Sequence, residues 1–192
     1  GQDTAFENIT EVSPTYFLGV PRIWEKMYSS ITMRMKDATW FGRKALQMAL
    51  SVGSRAADFE DKGLPVPAPV RLMHRAADLL VLNNIKVLLG LDHVRIGLTG
   101  AAPISPDLIG WFRALGVPLY EAFGQTENVA FACGNYRGQV RLGTVGKPPP
   151  GVELKTAEDG ELLIRGPLVF KGYYKQALKT AETIVDGWLY TG

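Results

Sequence analysis

Two apolar segments on either side of an amphipathic helix constrain the fold more than any other feature of the sequence. Residues 94–98 and residues 117–120 are rich in strand-forming side chains, and residues 105–115 between them have helical spacing of apolar positions. A strand, a helix and a strand of this length are about the minimum for a parallel crossover. The loops at 99–103 and 122–127 then leave the carboxyl ends of parallel strands. They face one edge of the sheet, where ligands bind in open α/β folds.

The segment before this unit adds one more strand and a long helix. Residues 15–20 form a continuous apolar run of strand formers, which predicts a strand covered on both faces. Pro21 follows and suits the first turn of a helix. Beyond it the apolar positions recur every four residues, at Ile23, Met27, Ile31 and Met35. This spacing predicts an amphipathic helix of about four turns. We expect Pro21 to lie at the same edge as the two loops if the first strand joins the sheet.

Further helical segments flank the predicted sheet. Residues 38–61 have the spacing of a second helix. The apolar face of this helix is made of Phe41, Ala45, Met48, Ala49, Val52 and Ala56. Three prolines at alternate positions mark residues 63–69 as a loop, because proline disrupts the hydrogen bonding of both helix and sheet. Residues 70–82 and 84–89 resume the helical pattern, which ends at Gly90.

The character of the sequence changes in its last third, where short strand patterns replace long helices. Residues 152–155 and residues 161–165 are predicted strands, and the Asp-Gly pair between them predicts a hairpin turn. The dipeptides at 169–170 and 173–174 are expected to extend this β-rich module. Residues 177–184 are expected to form a short helix.

These elements together predict an α/β fold. A mostly parallel sheet flanked by helices is followed by a smaller β-rich module that resembles part of a barrel. We expect the α/β portion to span residues 1–136 and the β-rich portion of the same domain to span residues 137–192. Both ends of the chain stop in mid-pattern, so we expect a truncated domain. The 46% hydrophobic and 21% charged residues are those of a globular protein.

Charge and cysteine content exclude several functional classes. Lys and Arg number 21 against 19 Asp and Glu, and so small an excess gives no nucleic-acid-binding surface. His74, His93 and Cys133 are too few and too widely spaced for a zinc site. One cysteine excludes an internal disulfide framework and fits a reducing compartment. With no signal peptide or membrane-spanning segment in view, we expect a cytoplasmic location.

Three side chains that can contact a nucleotide stand within five residues at the end of the last predicted parallel strand. The ring of Phe123 can stack on a base, the hydroxyl of Thr126 can bond a phosphoryl oxygen, and Glu127 can hold Mg²⁺. Gly124 permits a tight turn between them. Taken alone, the segment is also compatible with an ordinary turn that exposes Thr126 and Glu127. Ser105 is expected to cap a helix, and since no nucleophile elbow surrounds it we do not assign it as a nucleophile.

Several motifs occur in an order that resembles the adenylate-forming (AMP-binding) superfamily. The small-residue loop, the aromatic-Gly-x-Thr-Glu motif and four later motifs are found at residues 99–103, 123–127, 143–146, 160–166, 172–174 and 186–192. Residues 20–26, Val-Pro-Arg-Ile-Trp-Glu-Lys, resemble a segment of long-chain fatty acyl-CoA synthetases. The resemblance covers nearly the whole chain and implies an incomplete large domain of an adenylate-forming enzyme.

The resemblance implies a long-chain fatty acid–CoA ligase that uses ATP, Mg²⁺ and coenzyme A. A fatty acid and ATP would give an acyl-adenylate and pyrophosphate, and coenzyme A would then displace AMP. Thr126 and Glu127 are the implied catalytic residues, with Glu127 as the Mg²⁺ ligand. Phe123 would stack on adenine, where the superfamily more often has Tyr. The implied nucleotide contacts are Gly100, Ala101, Ala102, Pro103, Glu121, Ala122, Phe123, Gly124, Gln125 and Thr126.

The resemblance also indicates what the 192 residues leave out. The phosphate loop would precede residue 1, and the ribose-binding Asp and the small C-terminal domain would follow Gly192, so we expect the chain alone to be inactive. Unpaired sheet edges would then invite pairing, which makes a homodimer a candidate assembly. Peripheral membrane contact of the parent protein stays open. The alternatives are an aryl-CoA ligase, an acyl-AMP ligase, or a nucleotide-binding α/β module without chemistry.

Overall fold

The computed structural model describes residues 5–192, and it contains two sheets and the helices that cover them. The helices of this range are α1 Ala5–Val12, α2 Pro21–Lys36, α3 Trp40–Asp61, α4 Ala68–Ala77, α5 Asn83–Leu89, α6 Pro106–Ala114 and α7 Ala177–Thr183. Its strands are β1 Tyr16–Leu18, β2 Ile96–Thr99, β3 Leu119–Phe123, β4 Cys133–Gly134, β5 Glu153–Thr156, β6 Leu162–Arg165, β7 Ile184–Val185 and β8 Trp188–Tyr190. The predicted α/β class is confirmed.

The first sheet has the order β1-β2-β3-β4 and contains the predicted parallel crossover. Strands β1 and β2 pair in parallel, as do β2 and β3, whereas β4 runs antiparallel to β3. The three parallel strands therefore end at one edge, which we call the carboxyl rim, and begin at the opposite edge, the amino rim. Strand β3 continues to Phe123, three residues beyond the predicted end, because Ala122 and Phe123 pair with β4.

The prediction that the first strand is covered on both faces is wrong. Tyr16 and Leu18 are 57% and 67% exposed, and only Phe17 between them is half-buried. The strand lies beside β2 at the end of the described sheet, and only the face that carries Phe17 packs against the core.

Helix α2 begins at Pro21, as predicted, and its buried face anchors the core. Trp24 is completely buried, donates its indole N–H to the carbonyl of Gly19 at 3.0 Å and packs edge-on against Phe112 at 4.9 Å between ring centres. Burial of an aromatic side chain of this size with its polar atom satisfied contributes strongly to stability. The helix thereby fixes the turn that follows β1 at the carboxyl rim.

Helix α3 lies across α6 at very short range, and its buried face matches the predicted one only in part, at Ala49 and Ala56. Leu46, Ala49, Gly53 and Ala56 are buried, whereas the predicted face residues Phe41 and Met48 are 75% and 68% exposed. The closest approach is at Gly53, where a Cβ would lie 1.9 Å from the carbonyl oxygen of Ala114. Small residues therefore form much of this packing surface.

The predicted loop at residues 63–69 is two residues too long. Helix α4 already begins at Ala68, with Pro69 in its first turn, because a proline there sacrifices no intrahelical hydrogen bond. A π-helical turn, Asp78–Leu82, continues directly into α5. As predicted, Gly90 ends this helix, in a left-handed conformation.

Helix α6 returns the chain from β2 to β3. Ser105 occupies the N-cap position of this helix, but its side chain makes no capping hydrogen bond, so the predicted role of its hydroxyl is wrong. Proline at the first helical position removes one of the N–H groups that would otherwise need a partner. Leu108, Ile109 and Phe112 are buried against the sheet.

The second sheet is an open antiparallel sheet of the order β5-β6-β8-β7. The predicted hairpin joins β5 and β6, and Asp159 accepts a hydrogen bond from the backbone N–H of Glu161 in its turn. The prediction that residues 169–170 and 173–174 extend the β-rich module is wrong, because neither pair belongs to a strand. Those residues form an irregular segment, which we call the crossing segment (170–173), because it bonds to the turn after β3 instead of to a neighbouring strand.

Candidate active site at the carboxyl rim

The small-residue loop after β2 lies directly against the end of β3. A Cβ on Gly100 would lie 2.8 Å from the carbonyl oxygen of Ala122, so the two backbones approach as closely as glycine permits. Ala101 adopts a left-handed conformation (φ 67°), and Ala101, Ala102 and Pro103 are exposed. The Thr99 hydroxyl is buried at this rim with no hydrogen-bond partner among the described residues. A polar atom of this kind marks a place where a further polar group would be stabilised.

Glu121 is a buried carboxylate between the end of β2 and the end of β3. It lies opposite Thr99 in the sheet and is only 8% exposed. Burial raises the pKa of its carboxyl group, and a hydrogen bond from the backbone N–H of Ile104 partly offsets that rise. The predicted nucleotide contact of Glu121 therefore depends on its backbone position rather than on an exposed side chain.

Gly124 is required by close packing rather than by an unusual backbone angle. A Cβ at this position would lie 2.1 Å from the carbonyl carbon of Ala130 and 2.3 Å from the backbone nitrogen of Phe131. The chain returns on itself here through two consecutive left-handed residues, Val129 and Ala130. This turn leaves the ring of Phe123 half-buried at the end of β3.

A single 3₁₀ turn, Thr126–Asn128, presents the predicted catalytic residues. The backbone N–H of Gln125 donates to the side-chain oxygen of Asn128 at 2.8 Å, and the Asn128 N–H returns a bond to the Gln125 carbonyl. Asn128 is fully buried and locks the turn. Thr126 is thereby held exposed, and Glu127 half-exposed, at the carboxyl rim.

The crossing segment holds Glu127 at two points. The Tyr173 hydroxyl donates to Oε1 of Glu127 at 2.7 Å, and the backbone N–H of Phe170 donates to the Glu127 carbonyl at 2.7 Å. The Tyr173 hydrogen bond lowers the pKa of Glu127, and Lys179 lowers it further. Conversely, the hydrogen bond to Glu127 raises the pKa of Tyr173. Glu127 is therefore held as a carboxylate.

Changing Tyr173 to phenylalanine is expected to narrow the pH range of Mg²⁺-dependent ATP binding. The Tyr173 bond keeps the Glu127 pKa low, so the carboxylate persists as the pH falls and is lost only when the pH passes through the lowered pKa. Without the hydroxyl the pKa returns towards its ordinary value. Mg²⁺–ATP affinity measured against pH should then decline at a higher pH than in the parent protein. Tyr174→Phe is the matched control, since Tyr174 is 84% exposed. An unchanged acid limb in Tyr173→Phe would contradict this role.

The structure brings together most of the predicted residues and adds one that the sequence analysis did not assign. The loops carrying Gly100 and Gly124 share the carboxyl rim, with Phe123, Thr126 and Glu127 beside them. Tyr173 was noted only as part of a later motif. The available signal was a tyrosine directly after Gly172 in a segment expected to be a strand, and it says nothing about a partner 46 positions away.

The side chains at the carboxyl rim are of the types that bind a magnesium-bound nucleotide. Within the described residues no three His, Cys, Asp or Glu side chains are grouped as a metal cluster, so the predicted ligand Glu127 would be a single carboxylate. Mg²⁺ in nucleotide sites is commonly held by one or two carboxylates together with the substrate phosphates. The unpartnered Thr99 hydroxyl and the exposed Thr126 are suited to the remaining polar contacts.

Two solved structures share the fold of this chain. Benzoate CoA ligase from Burkholderia xenovorans LB400 superposes with a TM-score of 0.59 at 21% identity and covers 99% of this chain and 30% of that one. Anthranilate CoA ligase AuaEII in complex with anthranoyl-AMP gives a TM-score of 0.58 at 19% identity over 100% of this chain and 30% of that one. At such identities the likeness shows the fold, which is that of the adenylate-forming enzymes.

Sequence similarity identifies the family to which the chain belongs. Residues 2–174 match the AMP-binding enzyme family, and the chain belongs to it. It is 40% identical over 186 residues to fadD11 of Mycobacterium tuberculosis, covering 96% of this chain and 33% of that protein. It is 34% identical to the long-chain-fatty-acid–CoA ligase FadD15 of Mycobacterium bovis, covering 93% of this chain and 29% of that protein. The chain therefore spans about a third of the length of these relatives. Across residues 5–192, no helix combines the length and apolar character needed to cross a bilayer.

Proposed function

We propose that this chain is part of an ATP-dependent long-chain fatty acid–CoA ligase. The observation that carries the proposal is the contact at the carboxyl rim, where the backbone of Gly100 lies against Ala122 and the two predicted nucleotide loops meet. The likeness to FadD15 over 93% of the chain supports a long-chain acid as the substrate class. The reaction joins a carboxylate to AMP with release of pyrophosphate, and coenzyme A then displaces AMP to give the thioester.

The chemistry requires charge neutralisation and positioning more than a nucleophile. A carboxylate is a poor acyl donor because oxide would be its leaving group, and transfer to AMP replaces that group with a phosphate. Attack on the α-phosphate builds negative charge on its oxygens, which groups already in place at the rim would stabilise. Mg²⁺, when bound, supplies positive charge to the phosphates.

Each residue of the rim has a proposed part in this step. Glu127 holds Mg²⁺ through the carboxylate that Tyr173 keeps ionised. Thr126 donates its exposed hydroxyl to the α-phosphate or the acyl carbonyl. Phe123 stacks on adenine, and Gly100 with Ala101 lets the ligand approach the backbone. The positions of Ala102, Pro103, Glu121, Ala122, Gly124 and Gln125 beside this surface complete the proposed nucleotide contacts.

Changing Phe123 to leucine is expected to weaken AMP binding about tenfold to a hundredfold. Leucine keeps the apolar bulk that packs beneath the ring but removes the face on which adenine stacks, and stacking of a base on an aromatic side chain contributes about 1–3 kcal/mol. AMP affinity by calorimetry is the measurement. Phe123→Tyr keeps the aromatic face and should bind nearly as well as the parent. Equal affinities for the leucine and tyrosine variants would contradict stacking.

The complete polypeptide that contains this chain provides the test of the proposed function. ATP–pyrophosphate exchange and thioester formation should be followed with fatty acids of graded length and with benzoate. Thioester formation favouring long-chain acids is expected. A preference for benzoate would indicate an aryl-CoA ligase, and exchange without thioester would indicate an acyl-AMP ligase. AMP binding with no exchange would indicate a module without chemistry.

The proposal also covers the thiol substrate, the assembly and the cellular compartment. Coenzyme A is the proposed thiol acceptor. A homodimer is supported by the exposed Tyr16 and Leu18 on β1. The buried free thiol of Cys133 suits a reducing compartment, and we propose the cytoplasm.

A further inference from the structure

A second polar cleft lies at the amino rim, the edge of the sheet opposite the carboxyl rim and its proposed nucleotide site. It has a volume of about 250 Å³ and is formed where β2 and β3 begin, between the C-terminal half of α3 and the end of α6. Its charged lining consists of Arg95, Arg113, Arg137 and Glu60, with His74 beside them. We call it the arginine cleft. None of the residues proposed to bind the nucleotide lines it.

The buried member of this cluster is Arg113, which is 6% exposed. Its guanidinium pairs with Asp61, donates to the carbonyl of Leu119 at 3.2 Å and lies 5.0 Å from the ring centre of Tyr120. Its Nε–H is buried with no hydrogen-bond partner among the described residues. Burial raises the pKa of the Asp61 carboxyl group despite the attraction of Arg113, so the counter-charge of this arginine is held at an energetic cost.

The other two arginines stand exposed at the mouth of the cleft without a counter-ion. Among the described residues, no carboxylate lies within ion-pair distance of Arg95 or Arg137. Backbone hydrogen bonds hold the main chain near both arginines in place. The Arg95 N–H donates to the carbonyl of Thr15, and the Val140 N–H, in the loop that carries Arg137, donates to the Asp61 carbonyl of α3 at 3.0 Å. Three arginines therefore line one cleft, and among the described residues that line it only Glu60 carries a carboxylate.

We propose that the arginine cleft binds a small phosphate-type oxyanion. Guanidinium groups bind phosphate through paired, charge-assisted hydrogen bonds, and here two are free at the mouth while the field of a third reaches the cleft from within. The volume accommodates a phosphate or diphosphate group but is below the size of most sites for larger organic ligands. This site is separate from the proposed nucleotide loops and does not depend on the function proposed for them.

The test is calorimetric titration of the complete protein at constant ionic strength, with AMP present to occupy the nucleotide loops. Inorganic phosphate, pyrophosphate, glycerol 3-phosphate and acetate are the probes. Saturable binding of one phosphate-type anion per chain is expected. Tighter binding of glycerol 3-phosphate than of inorganic phosphate would identify an organic phosphate as the natural source, and the reverse order a free anion. Acetate binding as tightly as phosphate would overturn the proposed ligand class.

Variants distinguish this site from any other. The double variant Arg95→Gln with Arg137→Gln removes only exposed charges and should weaken phosphate binding at least about tenfold. Glu60→Gln removes the opposing carboxylate and should strengthen it. Arg71→Gln, an exposed arginine of α4 outside the cleft, is the control and should leave binding unchanged. Wild-type affinity in the double variant, or no saturable binding in the parent protein, would overturn the proposal.

Discussion

Changing Glu127 to glutamine is expected to lower the rate of acyl-adenylate formation at least about a hundredfold. Glutamine has nearly the same shape, and its amide oxygen can still accept the Tyr173 hydroxyl, so the turn should remain in place. What is removed is the negative charge that would hold Mg²⁺. A metal ion bound to the reacting phosphates contributes several kcal/mol to the transition state, and each 1.4 kcal/mol is about a factor of ten in rate.

The measurement is ATP–pyrophosphate exchange in the complete protein over a range of Mg²⁺ concentrations. The variant should require far more Mg²⁺ and remain slow at saturation. Glu158→Gln is the control, because Glu158 is an exposed carboxylate in the turn between β5 and β6 and has no part in the rim. A Glu127 variant with the Mg²⁺ dependence of the parent protein would remove this residue from the proposed metal site.

Changing Gly53 to alanine is expected to destabilise the fold by about 3 kcal/mol. The added methyl group would lie 1.9 Å from the carbonyl oxygen of Ala114, well inside any permitted contact. The methyl carbon is held in a fixed position by the α3 backbone and the oxygen belongs to the α6 backbone, so no side-chain rotation can relieve the overlap. Helices α3 and α6 must therefore separate, which would also open the packing of α6 against the parallel sheet. The midpoint of urea unfolding, followed by circular dichroism, is the measurement.

Gly110→Ala is the matched control for this prediction. Gly110 is also inside a helix, but a Cβ there would meet its nearest neighbour, Cδ1 of Leu142, at an ordinary 3.7 Å. Alanine is the better helix former by about 1 kcal/mol, so this variant should unfold at the same or a higher urea concentration. Equal midpoints for Gly53→Ala and Gly110→Ala would show that α3 and α6 are not in backbone contact.

The parallel unit was readable from the sequence because it depends on local periodicity. The apolar runs before residues 99 and 121 and the helix between them fix a crossover whatever the rest of the chain does. Exposure was less predictable. An apolar run such as that around Phe17 has the same appearance on an end strand as on a central one. The buried face of α3 was predicted only in part: Ala49 and Ala56 are buried as expected, but Gly53 carries no side chain that would mark its contact with α6.

The position of the candidate site was predictable from the sequence, but the contacts that hold its residues in place were not. The motifs around Gly100 and Glu127 fall at strand ends, so a shared edge follows from strand direction alone. Gly124 was recognised for the wrong reason, since the return of the chain at Ala130 depends on non-local packing. Tyr173 donates a hydrogen bond to Glu127 from an irregular segment 46 positions away in the chain, and no periodicity in the sequence encodes such a partner.

The two bonds from the crossing segment to Glu127 determine how much of this chain is needed for a minimal protein. A version shortened after β4 would keep Phe123, Gly124 and the whole parallel sheet. It would lack the Tyr173 hydroxyl and the Phe170 N–H, and Glu127 would rotate freely in water. Anyone trimming such a domain for biosensing or for split-protein reassembly should therefore place the cut beyond residue 173. If the chain is divided before residue 173, the Glu127 carboxylate will be held in position only after the two pieces reassemble.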